Sequence, residues 1–174
     1  KNTSSVMQGQ PPQQSSGNAQ YSAQTEITDD TTISNESYSS KTADENAVLV
    51  SGAKATLDNI TVTKTGDSDG GDNTSFYGTN SGIIAKDGAK LTIKNSTVTT
   101  NATGANGVFS YGGSATTDNA SSDSTEVNIS NSTIITKKDN SGGIMTTGGG
   151  IMNATDLTVK TYGTSSAAIR SDRG

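Results

Sequence analysis

Two patterns of apolar and polar positions take turns along most of this chain. In the first, a small residue precedes two mostly apolar ones: Ala47-Val48-Leu49-Val50, Gly82-Ile83-Ile84-Ala85, Gly107-Val108-Phe109-Ser110, Gly143-Ile144-Met145-Thr146 and Ala167-Ala168-Ile169-Arg170. Their starts lie 35, 25, 36 and 24 residues apart. In the second, apolar and polar residues alternate, as in a strand with one buried face. Its copies are Ala55-Thr56-Leu57-Asp58-Asn59-Ile60-Thr61-Val62, Leu91-Thr92-Ile93-Lys94-Asn95-Ser96-Thr97-Val98, Val127-Asn128-Ile129-Ser130-Asn131-Ser132-Thr133-Ile134 and a looser Met152-Asn153-Ala154-Thr155-Asp156-Leu157-Thr158-Val159. Aligned, they give a column of Leu57, Ile93, Ile129 and Ala154 and another of Val62, Val98, Ile134 and Val159. A third column, Asn59, Asn95, Asn131 and Asp156, falls where the alternation breaks. Asn tolerates tight-turn backbone angles, and stacked amides bond from layer to layer. The column therefore predicts a corner between two strands, held by a structural ladder.

Short-strand repeats of this length predict a solenoid, in which each repeat buries its apolar face only against its neighbours. The expected fold is all-β: a right-handed parallel β-helix of about five coils with two loop insertions. The shorter repeats give the bare coil. The longer ones add Gly66-Asp67-Ser68-Asp69-Gly70-Gly71-Asp72-Asn73 after an Asn-corner strand and Gly112-Gly113-Ser114-Ala115-Thr116-Thr117-Asp118-Asn119 after a small-residue strand, so the insertions leave from different edges. Residues 47–174 hold the repeats. Residues 21–46, with Thr25-Glu26-Ile27-Thr28 and Thr31-Thr32-Ile33-Ser34, predict an incomplete coil that caps the stack. Residues 1–20 carry both prolines among Gln, Ser and Asn and read as a tail, flexible or laid on a partner.

Composition sharpens this picture. Of 174 residues, 28% are hydrophobic and 4% aromatic, too few for a compact globule and enough for a narrow solenoid. The same poverty marks disordered chains, but here the apolar residues are periodic and charge is sparse, 17% with a net of −5. With neither Cys nor His, thiol chemistry, zinc-thiolate sites and the commonest general base are excluded. The acidic balance argues against nucleic acid and anionic membranes, and no apolar stretch reaches transmembrane length. Richness in Ser, Thr, Asn and Gly associates the chain with exported bacterial surface proteins.

At Ala43-Asp44-Glu45-Asn46-Ala47-Val48-Leu49-Val50, Asn73-Thr74-Ser75-Phe76-Tyr77-Gly78, Gly104-Ala105-Asn106-Gly107-Val108-Phe109 and Ser165-Ser166-Ala167-Ala168-Ile169-Arg170-Ser171-Asp172-Arg173-Gly174, the chain resembles the adhesin-like or carbohydrate-binding-domain-like right-handed parallel β-helix proteins of bacterial surfaces, within the pectate-lyase-like superfamily. The resemblance spans roughly residues 25–174. It implies an extracellular or cell-surface location and further coils beyond the last segment, so that the present end reads as a processed form, a fragment or a contact with another subunit. Lyases of that superfamily pair an arginine base with carboxylates that hold calcium. No second carboxylate cluster stacks here to match them.

Several residues are candidates for a site. Asp67, Asp69 and Asp72 crowd one Gly-rich loop, which suits calcium chemically, although their spacing departs from the EF-hand pattern and a solvated acidic loop explains them as well. Phe76, Tyr77 and Tyr111 are aromatics that either hold a sugar ring or anchor loops. Phe109 falls in the column of Leu49, Ile84, Met145 and Ile169 and reads as packing. Arg170, beside Asp172 and Arg173, is a candidate ligand contact or a salt-bridged turn. Ser and Thr abound, but a hydroxyl nucleophile needs a base, so no catalytic residue is assigned. The expected function is a non-catalytic extracellular structural module, adhesin-like or a filament subunit self-associating head to tail through open β-helix ends. The alternative is a polysaccharide-binding module, with calcium its only candidate cofactor. A polysaccharide lyase stands third.

Overall fold

The structure is a computed structural model that describes residues 19–114 and 121–174. The predicted tail at 1–20 lies almost wholly outside the described residues, as does the centre of the second insertion. Half of the chain is strand and 3% helix, so the protein is all-β. The strands are β1 (Ala23–Ile27), β2 (Thr31–Ser34), β3 (Ser37–Ser40), β4 (Asn46–Ser51), β5 (Lys54–Asp58), β6 (Thr61–Lys64), β7 (Ile83–Lys86), β8 (Lys90–Lys94), β9 (Thr97–Thr100), β10 (Val108–Tyr111), β11 (Glu126–Thr136), β12 (Ile144–Thr147), β13 (Ile151–Thr161) and β14 (Ile169–Asp172). A one-turn helix, α1 (Asp72–Ser75), sits in the first insertion.

The pairings among these strands are parallel. One sheet runs β1-β4-β7-β10-β12-β14. The other follows β2-β5-β8-β11-β9-β6-β3, with β13 on β11. The path doubles back because β11 is continuous through the corner: residues 126–130 pair with β8 and residues 133–136 with β9. This second sheet is therefore two ladders joined at β11, and the whole is consistent with a parallel β-solenoid. Leu57, Ile93, Ile129 and Ala154 share one register position, and Val62, Val98, Ile134 and Val159 another.

At the corner, Asn35, Asn59, Asn95, Asn131 and Asp156 all adopt left-handed backbone angles, φ 46° to 62°. Asn and Asp visit that region more readily than other side chains. The amide of Asn59 donates to Asn35 Oδ1 (2.7 Å) and that of Asn131 to Asn95 Oδ1 (2.8 Å). Between them the chain of amides is interrupted, since Asn95 Nδ2 donates to Asp58 Oδ1 instead (2.8 Å). Behind this column, Ser96 and Ser132 hydroxyls accept from the backbone N–H of Ile60 and Ser96 in the preceding coils.

Two expectations need correction. The segment read as an incomplete coil carries three strands, because Ser37–Ser40 forms β3 on β6. Its hydroxyl-rich sequence hid it. The last small-residue phrase is also misaligned by one. Ile144 pairs with Ile169 and Met145 with Arg170, so Arg170, not Ile169, continues the column of Leu49, Ile84, Phe109 and Met145. Ala168, not Ala167, then matches Gly143.

The two patterns differ because their strands are covered differently. In the six-stranded sheet, Val48, Val50, Ile83, Ala85, Val108 and Ile144 face an interior core shared with Leu57, Ile93, Ile129, Val62, Val98 and Ile134. Leu49, Ile84, Phe109 and Met145, one position out of phase, face a second cluster with Phe76, Tyr77 and Tyr111. Strands buried on both faces read as continuous apolar runs. The alternating strands have one face in water.

Candidate functional site

The first insertion folds back over the outer face of the six-stranded sheet. Asp72 opens the short α1 turn, and Phe76, Tyr77 and Tyr111 pack edge to face with ring centres 5.0 to 6.1 Å apart. All three rings are buried. Tyr21 crosses the same face, its hydroxyl donating to the Tyr77 carbonyl (2.6 Å), and Lys86 Nζ lies 4.5 Å from the centre of the Tyr21 ring. The structure thus gathers the candidate sugar-binding aromatics, but into a sealed cover. Along the outer column the apolar run ends in charges: Glu26 aligns with Leu49 at one end and Arg170 with Met145 at the other.

The three candidate metal-binding aspartates have separate tasks. Asp67 Oδ1 accepts from Thr103 N–H (2.9 Å), Asp69 Oδ1 accepts from Gly71 N–H (2.9 Å), and Asp72 begins α1. Among the described residues, no group of three His, Cys, Asp or Glu side chains is placed to hold a metal ion.

Arg170 lies in the exposed last coil, where it lines two cavities. One, about 330 Å³, is bordered by Ile144, Ile151, Met152 and Ile169. The other, about 290 Å³, is of mixed character and bordered by Ser75, Asn106, Asn140, Ser165 and Ser166 together with Met145 and Ala167. Here the interior columns come to the surface. Ile169 is 72% exposed and Ile151 40%, while Ala154 is exposed and Met152, Leu157 and Val159 are only half-buried. Among the described strands, β13 pairs on one side alone, along its eleven residues. β14 already stands one layer further out, so the end of the stack is a step.

Sequence reasoning missed two features. Asn46 and Asn106, each directly before a small residue, staple the corner into the six-stranded sheet. Their Oδ1 atoms accept from Ser81 and Gly142 N–H (2.7 Å each), and their amides donate to the Ser22 and Thr74 carbonyls. The recurrence of Asn before Ala or Gly was the available signal. The second is Lys64, which looks like a solvent position but is wholly buried. Its ammonium donates to the carbonyls of Thr42 (2.8 Å), Thr65 (2.5 Å) and Gly66 (3.4 Å).

Burial holds the Lys64 pKa down to about 8, against the opposing pull of Glu45, Asp44 and Asp67. In the unfolded chain a lysine titrates near about 10.4. Between these values the unfolded state binds more protons, so stability rises as pH increases from about 8. Burial also pushes Tyr111 up to about 12 and raises Tyr21. Above about pH 10 the folded state therefore holds more tyrosine protons than the unfolded one, and stability falls again. Thermal melts should show a maximum between pH 9 and 10. The rise from pH 7.5 should be at most on the order of 2 kcal/mol, and Lys64→Met should flatten that limb alone.

Comparison with family models, curated proteins and solved structures returns no match.

Proposed function

We propose that the chain is a right-handed parallel β-helix of the adhesin-like kind, serving as a non-catalytic extracellular structural module that extends end to end. Handedness follows from the general rule that crossovers between parallel strands are right-handed. The observation that carries the reading is the parallel stacking itself, in which β13 pairs with β11 on one side alone among the described residues. An unpaired parallel edge backed by apolar side chains is a template for further strands. Charge favours head-to-tail order. Residues 21–45 hold Glu26, Asp29, Asp30, Glu36, Asp44 and Glu45 against Lys41, whereas residues 151–174 hold Lys160, Arg170 and Arg173 against Asp156 and Asp172. Head-to-head contact would set acid against acid, and head-to-tail contacts that do not close give fibres.

Sedimentation velocity across a concentration series, with negative-stain microscopy, tests this. The expected result is oligomers that grow with concentration into unbranched threads. Val159→Asp with Ile169→Asp should raise the concentration needed by more than about tenfold, since burying either side chain contributes over about 1.4 kcal/mol. A wild-type chain that stays monomeric throughout overturns the reading. Polysaccharide binding has one observation in its favour, the cavity beside Arg170 with its Ser and Asn side chains. Monodisperse particles that bind glycan arrays, and lose that binding in Arg170→Ala, would establish it instead.

A further inference from the structure

A surface cup of about 300 Å³ lies where three segments meet: the chain entering β1, the turn before β4 and the first insertion. Ala19, Gln20, Asp44, Asp69, Asn73 and Thr79 line it. All of these side chains except that of Ala19 carry oxygen, and two are carboxylates. Asp44 sits at a left-handed turn position, φ 59°. Asp69 uses Oδ1 to hold the Gly71 N–H, which leaves Oδ2 for a ligand. No ion pair to either carboxylate occurs among the described residues; the nearby Lys64 ammonium is spent on three backbone carbonyls.

Thr79 supplies an independent observation. It is 3% exposed, and its hydroxyl has no hydrogen-bond partner although its N–H donates to the Asn73 carbonyl (2.9 Å). The neighbouring Asn80 Oδ1 is likewise buried without a partner. A buried polar atom left unpaired costs about 1–3 kcal/mol, and native structures rarely leave one without a water or ion to satisfy it.

We infer that this cup binds a hard divalent cation, calcium in preference to magnesium. Two carboxylates neutralise its charge, and the amide and hydroxyl oxygens add neutral ligands. Calcium takes six to eight oxygens in flexible geometry, completing its shell with water, whereas magnesium demands near-ideal octahedral placement. The site is distinct from the Asp67, Asp69 and Asp72 trio, of which it uses Asp69 alone. Bound there, the ion ties the insertion, which covers the outer aromatic cluster, to the first two coils. Lys64 opposes it electrostatically, being close enough to Asp44 for the two charges to interact.

The test is calorimetric titration of the metal-stripped full chain with calcium chloride, then with magnesium chloride, at physiological ionic strength. One calcium per chain is expected, with magnesium weaker. Asp44→Asn and Asp69→Asn should each weaken calcium by about tenfold or more, equivalent to about 1.4 kcal/mol. Thr79→Val should weaken it severalfold. Asp67→Asn removes the same charge outside the cup and should change affinity by less than about twofold. Calcium should also slow amide exchange across residues 66–82, a readout that calorimetry does not share. Circular dichroism confirms that each variant folds, and Asp44→Asn decides the matter if Asp69→Asn disturbs its own turn. Absence of binding, or an equal loss in Asp67→Asn, overturns the site and leaves only a diffuse acidic field.

Discussion

Phe109→Ala should lower stability by about 4 kcal/mol in denaturant unfolding, near the upper range for a buried aromatic truncation. Phe109 is completely buried at the centre of the outer cluster, between Ile84 and Met145 in the adjoining strands. The surrounding cover cannot simply settle into the space. Gly78 lies directly on the ring, at φ +73°, where an added Cβ would stand 2.8 Å from Phe109 Cγ. Phe76 is held by its carbonyl, which accepts from Thr147 Oγ1 (2.5 Å), and Tyr77 by its carbonyl, which accepts from Tyr21. These tethers keep the neighbours in place, so a cavity remains and its cost adds to the lost transfer energy. Hydrogen exchange should localise the effect. Amides of α1 and residues 76–82 should exchange faster, while those of β5, β8 and β11, which face the other core, keep their relative protection. A loss below about 1 kcal/mol would mean that the insertion rests on the sheet without forming a packed second core.

The same residues explain what the sequence could and could not disclose. The interior was legible because each coil repeats one geometric problem. A residue that meets its counterpart in the next layer faces the same neighbours, so Leu57, Ile93 and Ile129, or Val62, Val98 and Ile134, recur in kind and position. Corner asparagines recur for a backbone reason, since a left-handed residue is needed at every turn. The outer cover had no such repetition. Phe76 and Tyr77 occur once, on an insertion, and their destination depends on how that loop folds back. Their burial therefore could not be separated from display on the surface. The apolar doublets Val48-Leu49 and Ile83-Ile84 did carry the clue, because two successive buried positions demand two cores. Lys64 was hidden for a similar reason: its carbonyl partners come from turns at 42 and 65–66, and backbone acceptors leave no trace in side-chain patterns. For the aspartates, closeness along a loop does not by itself imply convergence. Asp67 and Asp69 each turn to a different backbone N–H.

Gly107→Ala should cost about 3 kcal/mol, at the high end for overpacking, although it adds a single methyl group. Gly82, Gly107 and Gly143 stack at the entrance to successive strands of the six-stranded sheet. A Cβ on Gly107 would lie 2.5 Å from Ile134 Cγ2 and 2.7 Å from the Gly143 carbonyl oxygen. On Gly82 it would meet Val98 Cγ1 at 2.7 Å and the Gly107 oxygen at 2.8 Å, and on Gly143 it would run into Val159 Cγ1. The requirement is for space rather than for a left-handed backbone, since Gly107 does not occupy that region. Neither obstacle yields easily. The Gly143 carbonyl accepts the Val108 N–H at 3.0 Å, and Gly107 N–H itself donates to Gly142 at 2.9 Å, so a shift there breaks the coil-to-coil ladder. Ile134 is locked in the interior column between Val98 and Val159. A double-mutant cycle with Ile134→Ala separates the two clashes. If the side chain dominates, the double variant should be more stable than the sum of the single losses by over about 1 kcal/mol. If the carbonyl dominates, the losses add, and the small residue at each strand entrance is a condition of the stacking distance itself.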